Sequence, residues 1–82
     1  MRFTLAALPT GKSAVISSLA ADPPACRRLH ELGFLPGNEV RALFRAPSGD
    51  PTAYAICGTV MALRQKDAEK IFLLPSGKEW DL

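Results

Sequence analysis

Histidine, cysteine and aromatic residues are scarce in this chain. Its 82 residues include one His, two Cys, one Trp and one Tyr. The two thiols, Cys26 and Cys57, form no CxxC pair, which excludes a zinc knuckle and a thioredoxin-type redox centre. In a cytosolic setting they read as partly buried small apolar groups, not as a structural disulfide. No run of about 18 apolar residues occurs, so no segment reads as a membrane-spanning helix. Charge of neither sign dominates: ten Lys plus Arg against eight Asp plus Glu give +2. Nucleic-acid-binding domains usually gather a larger basic excess on one face. The length leaves no room for a TIM barrel, a doubly wound dinucleotide domain or a kinase, and residues 1–82 read as one domain. Internal repeats, low-complexity tracts and linkers are also missing. At the N-terminus, Arg2 and the apolar Phe3–Leu8 imitate a signal peptide. Pro9, Gly11 and Lys12 then interrupt it, and no small-residue cleavage site follows. Cys26 after Pro-Pro-Ala is not a lipid-attachment context. The expectation is a mature cytoplasmic protein.

Apolar residues at 48% and charged residues at 22% make an ordinary globular balance. Seven prolines and six glycines punctuate it. Pro9-Thr10-Gly11 is a turn, and Ala14–Leu19 follows as a short strand. Asp22-Pro23-Pro24 opens a helix, with Asp22 as cap and Pro23 at the first helical position. Ala25, Leu29 and Leu32 form its apolar stripe, and Gly33 ends it as a left-handed cap. Pro36-Gly37 suits a type II turn. A strand runs from Glu39 to about Ala46, with Val40, Ala42 and Phe44 on one side. Pro47–Pro51 is a hairpin loop, and Thr52–Cys57 pairs back. Gly58 suggests a bulge or bend within a longer strand that continues over Thr59–Arg64. Gln65–Ala68 is one helical turn, and Lys70–Leu74 is the last strand. The pattern predicts a mainly β fold: a small closed barrel of about five strands, with one helix inserted after the first.

Three strings invite chemistry. Ala6-Ala-Leu-Pro-Thr-Gly11-Lys12-Ser13 resembles a phosphate-binding loop with Ala in place of its first Gly. That loop needs a strand before it and a helix after it. Here Ala14–Leu19 reads as strand, so the string reads as a surface turn. Cys26 and His30 stand at i, i+4 and share a helix face, a start for a soft-metal site. A closed structural zinc site needs four ligands and a catalytic one three, so the pair alone is a weak candidate. No Ser/His/Asp or Cys/His constellation with an orienting third group can be assembled. Arg27, Arg28, Arg41, Arg45 and Arg64 could gather into a basic patch, but no row of aromatic residues accompanies them for base stacking.

Leu29-His-Glu-Leu-Gly-Phe-Leu-Pro-Gly-Asn-Glu-Val40 resembles the "LxxLGxxPGxxV" helix–turn–strand of the FeoA family, the small ferrous-iron transport protein A. Arg45-Ala-Pro-Ser-Gly-Asp-Pro51 is similar to that family's "APxGDP" hairpin loop. Ala62-Leu-Arg-Gln-Lys-Asp-Ala-Glu-Lys-Ile71 is similar to its closing "ALRxxxAxxI". Order and spacing are kept across residues 29–71. The resemblance implies an SH3-like barrel and a cytosolic, non-catalytic accessory protein of bacterial ferrous-iron uptake. Its implied partner is FeoB, a membrane permease with a GTPase domain, which would hold it at the inner face of the membrane. Transition-metal binding, to Fe²⁺ or another divalent ion, is a property of the family for which these motifs carry no ligand set. With no catalytic set, the contact candidates are Arg28, Arg45 and Arg64, together with Pro47, Gly49, Asp50 and Pro51 of the loop. Three alternatives stay open: a metal-sensing barrel like that of iron-dependent repressors, a small metal-binding protein, and a nucleic-acid-binding module. The tail from Pro75 to Leu82 lies outside the matched strings.

Overall fold

The structure, a computed structural model, describes residues 3–74. Six strands make one antiparallel sheet: β1 (Phe3–Thr4), β2 (Ser13–Leu19), β3 (Glu39–Arg45), β4 (Thr52–Ile56), β5 (Thr59–Leu63) and β6 (Ile71–Leu73). A helix α1 (Pro23–Glu31) follows β2, a short α2 (Gln65–Ala68) follows β5, and a 3₁₀ turn covers Leu5–Ala7. The strand order is β1-β6-β2-β3-β4-β5. The fold is therefore mainly β and SH3-like, as read from the sequence, but with an added N-terminal strand. Among the described residues its hydrogen-bonded ladder does not close, and β1 and β5 are its edges.

The corner of the fold lies in β2. Its first half, Ser13–Val15, pairs with β3, and its second half, Ile16–Leu19, pairs with β6 across a register irregularity. An extra residue in one strand bends it and lets it serve both halves of the sheet. Gly58, expected to bend a long strand, does something else. Cys57 and Gly58 both have positive φ, 50° and 78°, and form a two-residue turn between β4 and β5. A hairpin of that length favours the turn with positive φ at both central positions.

The caps follow local chemistry. Asp22 precedes α1 in extended conformation, yet its side chain makes no capping bond. Pro23 and Pro24 at the first two helical positions carry no N–H, so little is left to cap. At the other end Phe34 N–H donates to Leu29 O at 3.0 Å and Gly33 N–H to His30 O at 3.0 Å. With Gly33 at φ +106°, this is the Schellman arrangement, and Phe34 and Leu29 both lie in the core. The Leu35–Asn38 turn closes with a 3.0 Å bond and places Gly37 at φ +94°, as a type II turn requires.

The core joins Leu5, Leu8, Ile16, Leu29, Phe34, Val40, Tyr54, Ile56, Ile71 and Leu73. Apart from the Tyr54 phenol, no charged or polar side chain is buried among the described residues. Phe44 breaks the alternation read from the sequence. The β3–β4 register slips between Ala42 and Phe44, making Leu43 the extra residue, and Phe44 turns outward at 62% exposure.

Candidate functional site

The registers gather several of the candidate residues at one end of the sheet. Arg45 lies opposite Thr52, and Thr52 opposite Leu63, so Arg45 and Arg64 end neighbouring parts of the same three-stranded meander. The β3–β4 loop is tied down there. Ala46 N–H donates to Pro51 O at 2.9 Å, Gly49 N–H to Ala46 O at 2.7 Å, and Ser48 Oγ to Asp50 O at 2.9 Å. Asp50 Oδ1 accepts from Gln65 N–H at 2.9 Å. Its carboxylate thus satisfies the first free donor of α2, a task the helix's own flanking residue Arg64 does not perform. Asp50, Arg64, Gln65, Lys66 and Glu69 line a shallow open depression beside it. Pro47 is exposed, while Gly49 and Pro51 are half-buried.

Arg28 stands apart, on α1. Its guanidinium lies 3.8 Å from Asp67 Oδ2 of α2, an exposed cation beside a mostly covered carboxylate. That is the sole ion pair among the described residues, and exposed pairs of this kind contribute little. Tyr54 sits beneath the Arg45 end, with its hydroxyl 3.5 Å from Leu5 O. Burial pushes its phenol above the ordinary value of 10.0, opposed by a Thr52 hydrogen bond and the Arg45 charge.

Cys26 Sγ and His30 Nε2 do meet, at 3.5 Å on a half-buried stretch of α1. Cys57 sits elsewhere, exposed on the β4–β5 turn, where Asn38 Nδ2 approaches its Sγ at 3.4 Å. Among the described residues no three His, Cys, Asp or Glu side chains converge as metal ligands. The donors present do not fit a closed tetrahedral metal site, which takes four. The phosphate-loop-like string is a turn: Lys12 N–H donates to Pro9 O at 3.1 Å and Gly11 N–H to Ala42 O at 2.7 Å. Two of the donors a phosphate would need are thus engaged, and β2 stands where the helix should begin.

Sequence reasoning missed the apolar part of the outer face of β3–β4–β5. Arg41, Ala55 and Val60 lie in one row across it, and Phe44, Ala53 and Ala62 in the next. Only the slip at Leu43, which the sequence does not announce, brings Phe44 onto this face.

Fold and surface together define a small SH3-like domain that offers loops, arginines and a sheet face. A sequence profile of the FeoA domain matches residues 3–75. The chain belongs to the FeoA family, which is associated with ferrous-iron transport. It is 34% identical to the FeoA protein of Chlorobium tepidum, covering 95% of this chain and 75% of that one with a TM-score of 0.83. It is also 34% identical to the FeoA of Stenotrophomonas maltophilia, solved with zinc and described as a prokaryotic SH3 domain protein and candidate ferrous-iron transport activating factor. That match covers 98% of this chain and 99% of the other, with a TM-score of 0.82. A manganese-dependent transcriptional repressor shares the fold alone, at 22% identity and TM-score 0.78 over 41% of its length. No curated protein matches the sequence.

Proposed function

We propose that this protein is a cytosolic, non-catalytic accessory factor of bacterial ferrous-iron uptake that binds a FeoB-type permease, at or near its GTPase region. Membership of the FeoA family over residues 3–75 carries the reading. The Stenotrophomonas relative, described as a candidate ferrous-iron transport activating factor, supports it. A domain of this size acts by presenting a surface, and any GTP chemistry belongs to the partner. The contact residues are Arg45, Arg64 and the loop Pro47–Pro51, with Arg28 at the periphery. Arginine is enriched at the energetic centres of interfaces, and a loop held at both ends by proline loses less entropy when it docks. The test is calorimetric titration of the purified chain against the permease's soluble domain, and against intact permease in detergent. It is run with and without GTP analogue and Fe²⁺. Saturable 1:1 binding is expected; no heat with either partner in any condition removes the assignment.

A second reading, weak capture of a divalent transition metal, rests on the Cys26–His30 pair at 3.5 Å. Two ligands hold a metal loosely, so folding should be indifferent to a strong chelator. Loss of cooperative unfolding on chelation would instead reveal a structural metal.

A further inference from the structure

The outer face of the sheet continues past β3 onto β2. Ser13, Arg41, Ala55 and Val60 form one row across four strands. Ser13, Glu39, Arg41, Ala55 and Cys57 line a shallow open depression there, and Val60, 62% exposed, bounds its far side. Glu39 and Arg41 are both exposed, and neither has an ion-pair partner among the described residues.

The rim of this face is where β6 leads. On the β3 side of β2, Ile16 N–H donates to Asn38 O at 3.0 Å and Lys12 O accepts from Ala42 N–H at 3.0 Å. Ser13 and Val15, at the alternate positions, turn their backbone groups the other way. Val15 O is taken there by Leu74 N–H at 2.8 Å. Among the described residues no bond reaches the N–H or C=O of Ser13 on that side. Eight residues follow Leu74 in the sequence, Pro75-Ser-Gly-Lys-Glu-Trp-Asp-Leu82.

We propose that this segment of the chain itself covers the face: Pro75 and Ser76 extend β6 along Ser13, and Lys78–Leu82 cross the sheet with Trp80 in the depression over Ala55. The β2–β6 register, carried past Leu74, sets Pro75 against Ala14 and Ser76 against Ser13. Any N–H at position 75 would point away from β2, so proline there forfeits no bond to that strand. Ser76 meets the two open groups of Ser13. Four residues separate Ser76 from Trp80, about 13 Å of extended chain. From that ladder position to β4 is three strand spacings, about 14 Å, and the indole spans the remainder. On the way Lys78 passes Glu39 and Glu79 passes Arg41, opposite charges in both cases. Trp80 then rests on the small Ala55 side chain and against Val60. Attachment selects this occupant over a second copy or another protein, because a short tether holds its own segment at millimolar effective concentration. Any protein that docks on this face displaces the segment first.

Trp80 is the chain's one tryptophan, so its emission in the full chain reports the contact. The expected results are emission blue-shifted from that of tryptophan amide and acrylamide quenching severalfold weaker, both independent of protein concentration. NOEs from the indole to the methyls of Ala55 and Val60, with slowed amide exchange at Ser13 and Ser76, should fix the place. Ala55→Glu should raise the quenching to that of the free amide. Should that variant unfold, Glu79→Lys tests the contact from outside the described residues. It should raise the quenching, and Arg41→Glu in the same chain should lower it again. Emission and quenching equal to the free amide, NOEs to another face, or a Trp80 signal indifferent to these substitutions would overturn the proposal. So would a blue shift that grows with concentration, which would assign the face to a second copy.

Discussion

At Gly33 the chain leaves α1 with φ +106°, and a Cβ built there would lie 3.1 Å from Cys57 Sγ. Gly33→Val should therefore cost about 1 kcal/mol or more, read as a lowered urea midpoint at unchanged slope. The positive φ was legible from the Gly after an apolar stripe. The crowding was not, because Cys57 arrives from a turn 24 positions away. Tyr54 permits a second residue-level test, since it is the chain's single tyrosine and absorbance at 295 nm reports it alone. Burial raises its folded pKa above the ordinary value of 10.0, so the unfolded chain ionises first. Stability from this group is complete below about pH 10 and falls as pH rises through the higher folded value. Urea unfolding between pH 8 and 11 should show that decline, and Tyr54→Phe should flatten it. A decline of equal size in the variant would place its origin elsewhere. Phe44 marks the limit of reading by alternation: the period of two is sound until one extra residue shifts it.

Among the elements, α2 is the one most dependent on a distant residue. Four residues cannot sustain a helix unaided, and Asp50, fifteen positions earlier, caps it. Asp50→Ala should cost about 1 kcal/mol in a denaturant titration, with Asn restoring most of it because an acceptor oxygen remains. If Ala cost nothing, the carboxylate would be free for a purely interfacial role. The sequence marked Asp50 as a loop residue near a binding surface; its bond to Gln65 depends on a fold that no local pattern encodes. The hairpins β3–β4 and β4–β5 join neighbours along the chain and were readable from turn residues, even though Gly58 proved to end a strand instead of bending it. β1 was invisible for the opposite reason. Its partner β6 lies at the far end of the described chain, so Phe3–Thr4 looked like the start of an apolar leader.

For the whole molecule, binding data test the proposed contact surface. Arg45 is exposed and free of an ion pair among the described residues, so if it is central to the proposed permease contact, Arg45→Ala should weaken that binding by about 2 kcal/mol without disturbing the fold. A smaller loss that disappears with added salt would move Arg45 to the rim of the interface. The strand order has another consequence, in the timing of synthesis. β6 is inserted between β1 and β2, so the first strand made waits for the last described one. On the ribosome the β3–β4–β5 meander can pair as it emerges, whereas residues 3–19 have half their ladder missing until Ile71–Leu73 appear. A nascent chain stalled before β6 should be cut by protease within residues 3–19, and one stalled well after it should resist. Equal resistance in both would mean that the N-terminal segment finds shelter before its strand partner exists.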